Sequence, residues 1–218
     1  TSFIGTYNML GLAKRVGAKI LLASTSEVYG DPEEHPQKES YRGSVNTTGI
    51  RSCYDEGKRI AETLCSDYQR IHEVDVRIMR IFNTYGPKMK KDDGRAIPNF
   101  INQLIKNDDI TIYGDGTQTR SFCYIDDTMN GLYKLINTNY NYPVNIGNNN
   151  EYSINELVGT LKNIVKSSSK TKYLELPEND PKTRKPDINL ASEIIDWNPK
   201  VNLEDGLKKT ISYFYNYK

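Results

Sequence analysis

A tyrosine and a lysine stand four residues apart in Tyr54-Asp55-Glu56-Gly57-Lys58. On a helix that spacing stacks both side chains on one face. A cation beside a phenol favours the phenolate, easing the ionisation of a group that otherwise titrates near pH ~10. Such a phenol can take a proton from a substrate hydroxyl near neutral pH. The pair alone is also what a solvated helix surface carries, so its surroundings decide. Upstream, the apolar run KILLAS (19–24) leads directly into Thr25-Ser26-Glu27-Val28-Tyr29-Gly30. Hydroxyls and a carboxylate at the carboxyl end of a parallel strand sit where open α/β sheets bind ligands. The same residues would suit a polar strand-to-loop turn with local hydrogen bonds. Strand, polar turn, loop and Tyr-x-x-x-Lys in one order is much harder to reach by accident.

The elements that must position these groups follow from periodicity. Phe3, Tyr7, Leu10 and Lys14 keep three- and four-residue steps and Gly17 suits a helix end, which predicts a helix over 1–16. KILLAS has the form of a buried parallel strand, and a loop rich in Gly, Pro, Ser and Asn runs on to about residue 52. A helix over 54–72 and a second buried strand, VRIMRIF (76–82), come next. Beyond Tyr85-Gly86-Pro87 the elements shorten: a helix over 97–106, a strand over 110–113, and a helix capped by Asp126 and Asp127 that runs to about Asn137. Strand 143–147, helix 153–166, strand 172–175 and helices 188–196 and 203–216 complete the order. Apolar strands alternating with helices argue for an α/β fold with a parallel sheet.

Composition narrows the function. The 218 residues suffice for one sizeable core, or a core plus a small lobe. With 29 Lys+Arg against 28 Asp+Glu, the net charge of +1 gives no electrostatic case for nucleic acid or an anionic membrane as partner. No apolar run approaches the roughly 20 residues of a membrane helix, and the opening residues do not read as a signal peptide. Cys53, Cys65 and Cys123 form no C-x-x-C pair, and His35 and His72 stand apart. No metal site or disulfide framework is expected; the thiols read as reduced, in an intracellular protein. The sequon Asn46-Thr47-Thr48 reads as chance.

STSEVYG (24–30), CYDEGKR (53–59), RIFNTYGP (80–87), DGRAIPNFI (93–101), IYGDGTQTRSFCYIDD (112–127) and RKPDI (184–188) occur in that order. Together they resemble the UDP-glucuronate decarboxylase branch of the extended short-chain dehydrogenases, over essentially the whole chain. The Tyr-Lys pair and the Gly-Asp-Gly-x-Gln-x-Arg stretch are shared with sugar-nucleotide dehydratases and epimerases. More discriminating are Ser26, where 4,6-dehydratases usually carry an Asp, and Arg184, in a context typical of the decarboxylases.

The resemblance implies the C-terminal part of a Rossmann-type parallel sheet plus a smaller α/β substrate-binding lobe. Residues 1–86 would form a partial NAD-binding domain carrying Tyr54 and Lys58. Residues 87–218 would form mainly the nucleotide-sugar lobe, with about 121–147 returning to the first part. It also implies NAD as cofactor and a catalytic set of Tyr54, Lys58, Thr25, Ser26, Glu27 and Arg184. Tyr54 would take the proton of the sugar 4-hydroxyl while hydride passes to NAD, Lys58 would hold the phenolate and the nicotinamide ribose, and Thr25 would share the hydroxyl's hydrogen bonds. The 4-ketone lies β to the carboxylate carbon, so carbon dioxide can leave; reprotonation and return of the hydride give UDP-xylose. Arg184 suits the sugar carboxylate or a nearby developing charge, Glu27 the proton management, and Ser26 a supporting hydrogen bond. Ala23 and Thr84 would join Tyr54 and Lys58 around the cofactor. Asn83, Arg95, Tyr113, Arg120 and Arg184 would bind the UDP-sugar, with Asn148 or Asn149 adding a ribose contact.

Two features depart from that pattern. No Gly-rich strand-turn-helix fingerprint for a dinucleotide is present, so roughly three β-α units, on the order of 100 residues, are expected to be missing ahead of Thr1. The isolated chain is therefore expected to bind NAD poorly. In addition, 46–51 (NTTGIR) carries Thr and Ile where prolines are common in the family, which should loosen that loop. A 4,6-dehydratase or 4-epimerase, and a non-catalytic fragment that binds a UDP-sugar or a partner chain, remain alternatives. The resemblance further implies a homodimer through helices 1–16 and 54–72, and a cytoplasmic location, or the Golgi lumen through an anchor ahead of this segment.

Overall fold

A computed structural model describes residues 2–92, 94–175 and 183–216. Thr1 of the first predicted helix and Asp93 of the DGRAIPNFI run lie outside the described residues. The chain starts with α1 (Ser2–Val16), ended by Gly17 at φ 65°. Then come β1 (Ile20–Thr25), a 3-10 turn (Ser26–Tyr29), α2 (Ser52–His72) and β2 (Val76–Ile81). After β3 (Thr84–Tyr85) follow α3 (Ala96–Lys106), β4 (Ile110–Tyr113), β5 (Thr119–Ser121), β6 (Cys123–Tyr124) and α4 (Ile125–Ile136). The remainder is β7 (Pro143–Ile146), β8 (Glu151–Ser153), α5 (Ile154–Val165), β9 (Thr171–Leu174), α6 (Asn189–Ile195) and α7 (Leu203–Asn216).

Strands β1, β2 and β7 form a parallel sheet in that order, which is the α/β layering expected. Along β2 the side chains alternate. Val76 and Ile78 face a cluster with Leu10, Ala13 and Cys65 of α1 and α2, whereas Met79 and Ile81 face one with Leu135, Ile195 and Trp197. Helices therefore cover both faces of β2, which is mostly apolar, and its two arginines are paired, Arg77 with Asp75 and Arg80 with Glu62. Strand β1 differs from the buried strand expected. Among the described residues it pairs only with β2, so Ile20, Leu21 and Leu22 are half-buried and Ala23 is exposed.

A third cluster joins Phe100, Ile101, Leu104, Ile112, Phe122, Leu157, Leu161, Leu207 and Phe214 from α3, β4, α5, α7 and their neighbours. The two-residue ladder β3–β6 and the antiparallel pair β5–β8 tie this lobe to the sheet. The proposed cap at Asp126 and Asp127 is corrected. Helix α4 begins at Ile125, its cap residue Tyr124 makes no side-chain capping bond, and both aspartates lie inside the first turn. Asp127 Oδ2 accepts instead from the backbone N–H groups of Lys200 and Val201 at 3.0 and 2.9 Å, so its carboxylate pins a distant turn. Gly147 serves close packing: a Cβ there would lie 2.7 Å from Phe82 Cβ and 2.9 Å from Pro186 Cγ.

Candidate active site

The carboxyl end of β1 delivers Thr25, and the 3-10 turn delivers Ser26 and Glu27. Thr25 is extended (φ −148°, ψ 156°) and caps that turn, its Oγ1 accepting from the Glu27 N–H at 3.2 Å. The capping bond uses an acceptor lone pair and leaves the hydroxyl hydrogen to donate elsewhere. From the first turns of α2 come Tyr54 and Lys58. Lys58 Nζ donates to Ala23 O at 2.8 Å, stands 5.9 Å from the Tyr54 ring centre, and has its pKa lowered by burial. One open cleft of about 1020 Å³ is lined by Tyr54, Lys58, Ala23, Thr25, Ser26 and Glu27, with Asn83, Thr84 and Arg95 on its other wall. Tyr54 is 45% exposed and so accessible to a ligand in the cleft.

Arg184 arrives from the other end of the chain on a strap held at several points. Gln37 N–H donates to Lys185 O and Asp187 N–H to Gln37 O, while Ser121 Oγ donates to Arg184 O. This leaves the Arg184 guanidinium buried, with Nη1 donating to Glu27 Oε1 and Nη2 to Gly30 O at 3.3 Å. The other carboxylate oxygen of Glu27 meets Arg51 Nη2 at 3.1 Å. Arg51 was not singled out in the sequence. Its only signal there is its place three residues before Tyr54, yet it lines the cleft and pairs with the carboxylate at its centre.

A second cavity of about 480 Å³ continues from the first through Glu27, Arg51, Asn83, Thr84 and Arg95. It brings in Tyr113, Arg120 and Arg184, so the residues expected to hold a nucleotide-sugar do converge. Arg120 Nη1 donates to Thr119 O at 2.8 Å, and the Nδ2 of Asn83 is a buried donor without a partner among the described residues. Thr84 Oγ1 bonds to Phe82 O and Thr128 Oγ1. Asn148 is buried with its Oδ1 accepting from the Asn150 N–H, and neither Asn148 nor Asn149 lines these cavities. Local hydrogen bonds span the loop over 46–51. Asn46 Oδ1 accepts from the N–H and Oγ1 of Thr48, and Ser52 Oγ donates to Asn46 O, doing by hydrogen bonds what prolines would do by ring constraint.

Beneath the cleft, a network fixes α2 against the sheet. Ser24 Oγ donates to Glu62 Oε1, Arg80 pairs with Glu62 at 2.7 Å and donates to the Tyr29 hydroxyl at 3.0 Å, and Tyr29 donates to Asn145 Oδ1 at 2.7 Å. Burial raises the Tyr29 pKa to about 12 despite Arg80, so this phenol remains a donor.

Relatives and solved folds agree with this geometry. The chain is 56% identical over 207 residues to UDP-glucuronic acid decarboxylase 3 of Arabidopsis thaliana, covering 95% of this chain and 60% of that protein. It is 54% identical over 214 residues to UDP-glucuronic acid decarboxylase 1 of Xenopus tropicalis, covering 98% and 51%. The chain thus spans about half to three-fifths of the length of these relatives. Its fold matches UDP-glucuronic acid 4-epimerase from Bacillus cereus, solved with UDP-glucuronic acid and NAD, at TM-score 0.91 and 30% identity over 100% of this chain and 68% of that one. It matches UDP-glucose 4-epimerase from Thermotoga maritima at TM-score 0.93 and 26% identity over 99% and 70%. Since residues 1–210 fit the family model described as GDP-mannose 4,6 dehydratase, the chain belongs to that family, within the extended short-chain dehydrogenases.

Proposed function

We propose that this chain carries the catalytic and substrate-binding residues of a UDP-glucuronate decarboxylase that forms UDP-xylose through a transient 4-ketone. The observation that carries the reading is the pairing of Glu27 with Arg184 and Arg51 on the wall of the cleft that also holds Tyr54 and Lys58. Oxidation chemistry and two guanidiniums suited to a carboxylate meet in one place. The 51–56% identity to decarboxylases over nearly the whole chain supports the same substrate.

NAD, when bound, supplies reversible oxidation at the sugar. Ala23, Tyr54, Lys58 and Thr84 fit such a group, because all four line one cleft beside the carboxyl ends of parallel strands. Tyr54 takes the proton of the 4-hydroxyl, with Lys58 beside it as the stabilising cation. Thr25 donates to the same oxygen. Arg184 and Arg51 orient the sugar carboxylate, whose departure as carbon dioxide needs no further base once the ketone exists. Glu27 delivers a proton to the carbon left behind, and Ser26 supports it. Arg95 and Arg120 neutralise the diphosphate, with Asn83 beside them and Tyr113 against the base. We also propose the division into residues 1–86, carrying Tyr54 and Lys58, and 87–218, mainly the sugar-nucleotide lobe, with about 121–147 returning to the first part, a reading supported by the pairing of β7 with β2.

Exposed apolar side chains on α1 (Ile4, Val16) and α2 (Ile60, Ile71) support a homodimer through these helices. The deciding assay supplies NAD and UDP-glucuronate and measures carbon dioxide and UDP-xylose, with UDP-glucose and TDP-glucose in parallel. Inversion at carbon 4 with the carboxylate retained would make it an epimerase. Binding without turnover would make it a UDP-sugar-binding chain.

A further inference from the structure

A further chamber of about 330 Å³, the rear chamber in that neither Tyr54 nor Lys58 lines it, shares Glu27 and Arg51 with the cleft and Arg184 with the second cavity. Its lining includes Glu27, Arg184, Arg51, Asp31, Asn46 and Asp55. Asp55 is 8% exposed, and its Oδ1 is buried with no hydrogen-bond partner among the described residues. A buried carboxyl oxygen left unpaired costs free energy that folds ordinarily avoid. Neighbouring acidic residues on α2 are accounted for: Glu62 pairs with Arg80 and Glu56 with Arg59. Asp55 sits in the first turn of the same helix, and among the described residues its Oδ1 has no such partner.

We propose that Asp55 is a proton-relay residue that acts through Glu27, reloading it from the rear chamber during each turnover. The inference rests on the decarboxylase reading and on Glu27 as the proton donor. When carbon dioxide leaves, the electron pair of the broken C–C bond stays on the sugar as an enolate, which must gain one proton on carbon. The Glu27 O–H bond breaks as that C–H bond forms, leaving a carboxylate between Arg184 and Arg51. The Asp55 O–H proton then crosses the chamber through water to Glu27. Asp55, now a carboxylate, regains its proton from solvent. One proton is consumed per carbon dioxide released and no electrons move in the relay.

The chamber is large enough for several waters and carries the polar groups that hold them. The groups facing Asp55 favour its neutral form on balance. Burial and the Glu27 charge, with Glu56 adding, raise its pKa, while Arg51 and Arg184 act in the opposite direction. Asp55 lines the rear chamber and neither of the larger cavities, so this route is distinct from the cleft that Tyr54 and Lys58 line.

The test uses the enzyme at the full length its gene encodes, with NAD. Asp55→Asn keeps the shape and cannot pass the proton. We expect kcat for UDP-xylose formation to fall on the order of 10²-fold, the lower end of general acid–base contributions, with KM unchanged and the solvent deuterium isotope effect on kcat increased. Asp55→Ala should be slow as well and should recover on addition of formate, a small acid able to enter the chamber. Unchanged kcat and isotope effect in Asp55→Asn overturn the relay. So does a slow Asp55→Asn with weakened UDP binding, an unchanged isotope effect and no formate rescue in Asp55→Ala, the signature of a merely structural residue. A parent enzyme that releases no carbon dioxide removes the decarboxylase reading first, and the relay with it.

Discussion

Arg184 Nη1 donates to Glu27 Oε1 across 157 residues of sequence, joining the strap that leads into α6 to the turn that ends β1. The Arg184 side chain is nearly inaccessible, while Glu27 retains access to the cleft. The arginine is therefore built into the fold before any ligand arrives, and Glu27 stands between it and Arg51. A substrate carboxylate entering here would compete with Glu27 for guanidinium donors already in position, which is electrostatic preorganisation in its simplest form.

Replacing Arg184 tests this directly. Arg184→Ala should lower carbon dioxide release from UDP-glucuronate by at least about 10²-fold. Arg184→Lys should rescue little, because an ammonium cannot present two parallel donors. Glu27→Gln should also fall sharply. Wild-type turnover in Arg184→Ala and Glu27→Gln would remove the pair from the chemistry.

Tyr54→Phe keeps the ring and deletes the oxygen proposed to take the 4-hydroxyl proton. The expected result is a kcat loss of about 10²- to 10⁴-fold with UDP affinity intact, because Tyr54 lines the cleft on the Lys58 side and is absent from the lining of the cavity holding Arg120 and Tyr113. Loss of UDP binding in calorimetry would show the assignment of the two cavities to be wrong.

What could be read from the sequence divides along physical lines. Elements with a strong period, α1, α2, β2 and α7, fall within two residues of expectation, because apolar spacing records which face is buried. The convergence of Tyr54, Lys58, Thr25 and Glu27 was legible because chain order around a parallel sheet dictates it. The strands β3, β5, β6 and β8 were not, since two or three residues carry no period and exist only through their partners. Asp127 read as a cap because a local rule was applied to a side chain whose partners lie 73 and 74 residues away. Arg51 and Asp55 were passed over for a similar reason: their importance comes from what packs against them, not from spacing.

Arg120→Ala and Arg95→Ala should act on binding rather than on chemistry. Each removes a cation from the cavity continuous with the catalytic cleft. We expect about tenfold or greater weakening of UDP by calorimetry, as for a charge-assisted hydrogen bond worth ~1.5–3 kcal/mol, and a rise in KM. A selective fall in kcat with KM unchanged would place these residues in the reaction instead.

Gly147→Ala probes the strap that carries Arg184. The new methyl would meet Phe82 Cβ at 2.7 Å and Pro186 Cγ at 2.9 Å, and both lie in packed surroundings. Overpacking of this kind costs about 1–3 kcal/mol, and any shift of Pro186 that relieves it displaces Arg184, two residues earlier. Thermal unfolding should shift down, and carbon dioxide release should fall further than the stability loss explains, as Arg184 moves off Glu27. An unshifted melting temperature with full activity would mean that this contact is loose.

Asp55 also leaves a signature in stability against pH, independent of any substrate. Burial, then the charge of Glu27, raises its pKa in the folded chain above the value of 3.8 for a free side chain. A carboxyl whose folded pKa is raised favours the folded state below its unfolded pKa, and that contribution is lost as pH rises through the folded pKa. Asp55→Asn does not titrate and escapes the loss. The melting temperature of Asp55→Asn minus that of the parent should therefore be smallest near pH ~4, grow more positive as pH rises, and level off above the folded pKa. Two melting curves that stay parallel from pH ~4 to pH ~8 would mean that Asp55 ionises as freely in the fold as in water.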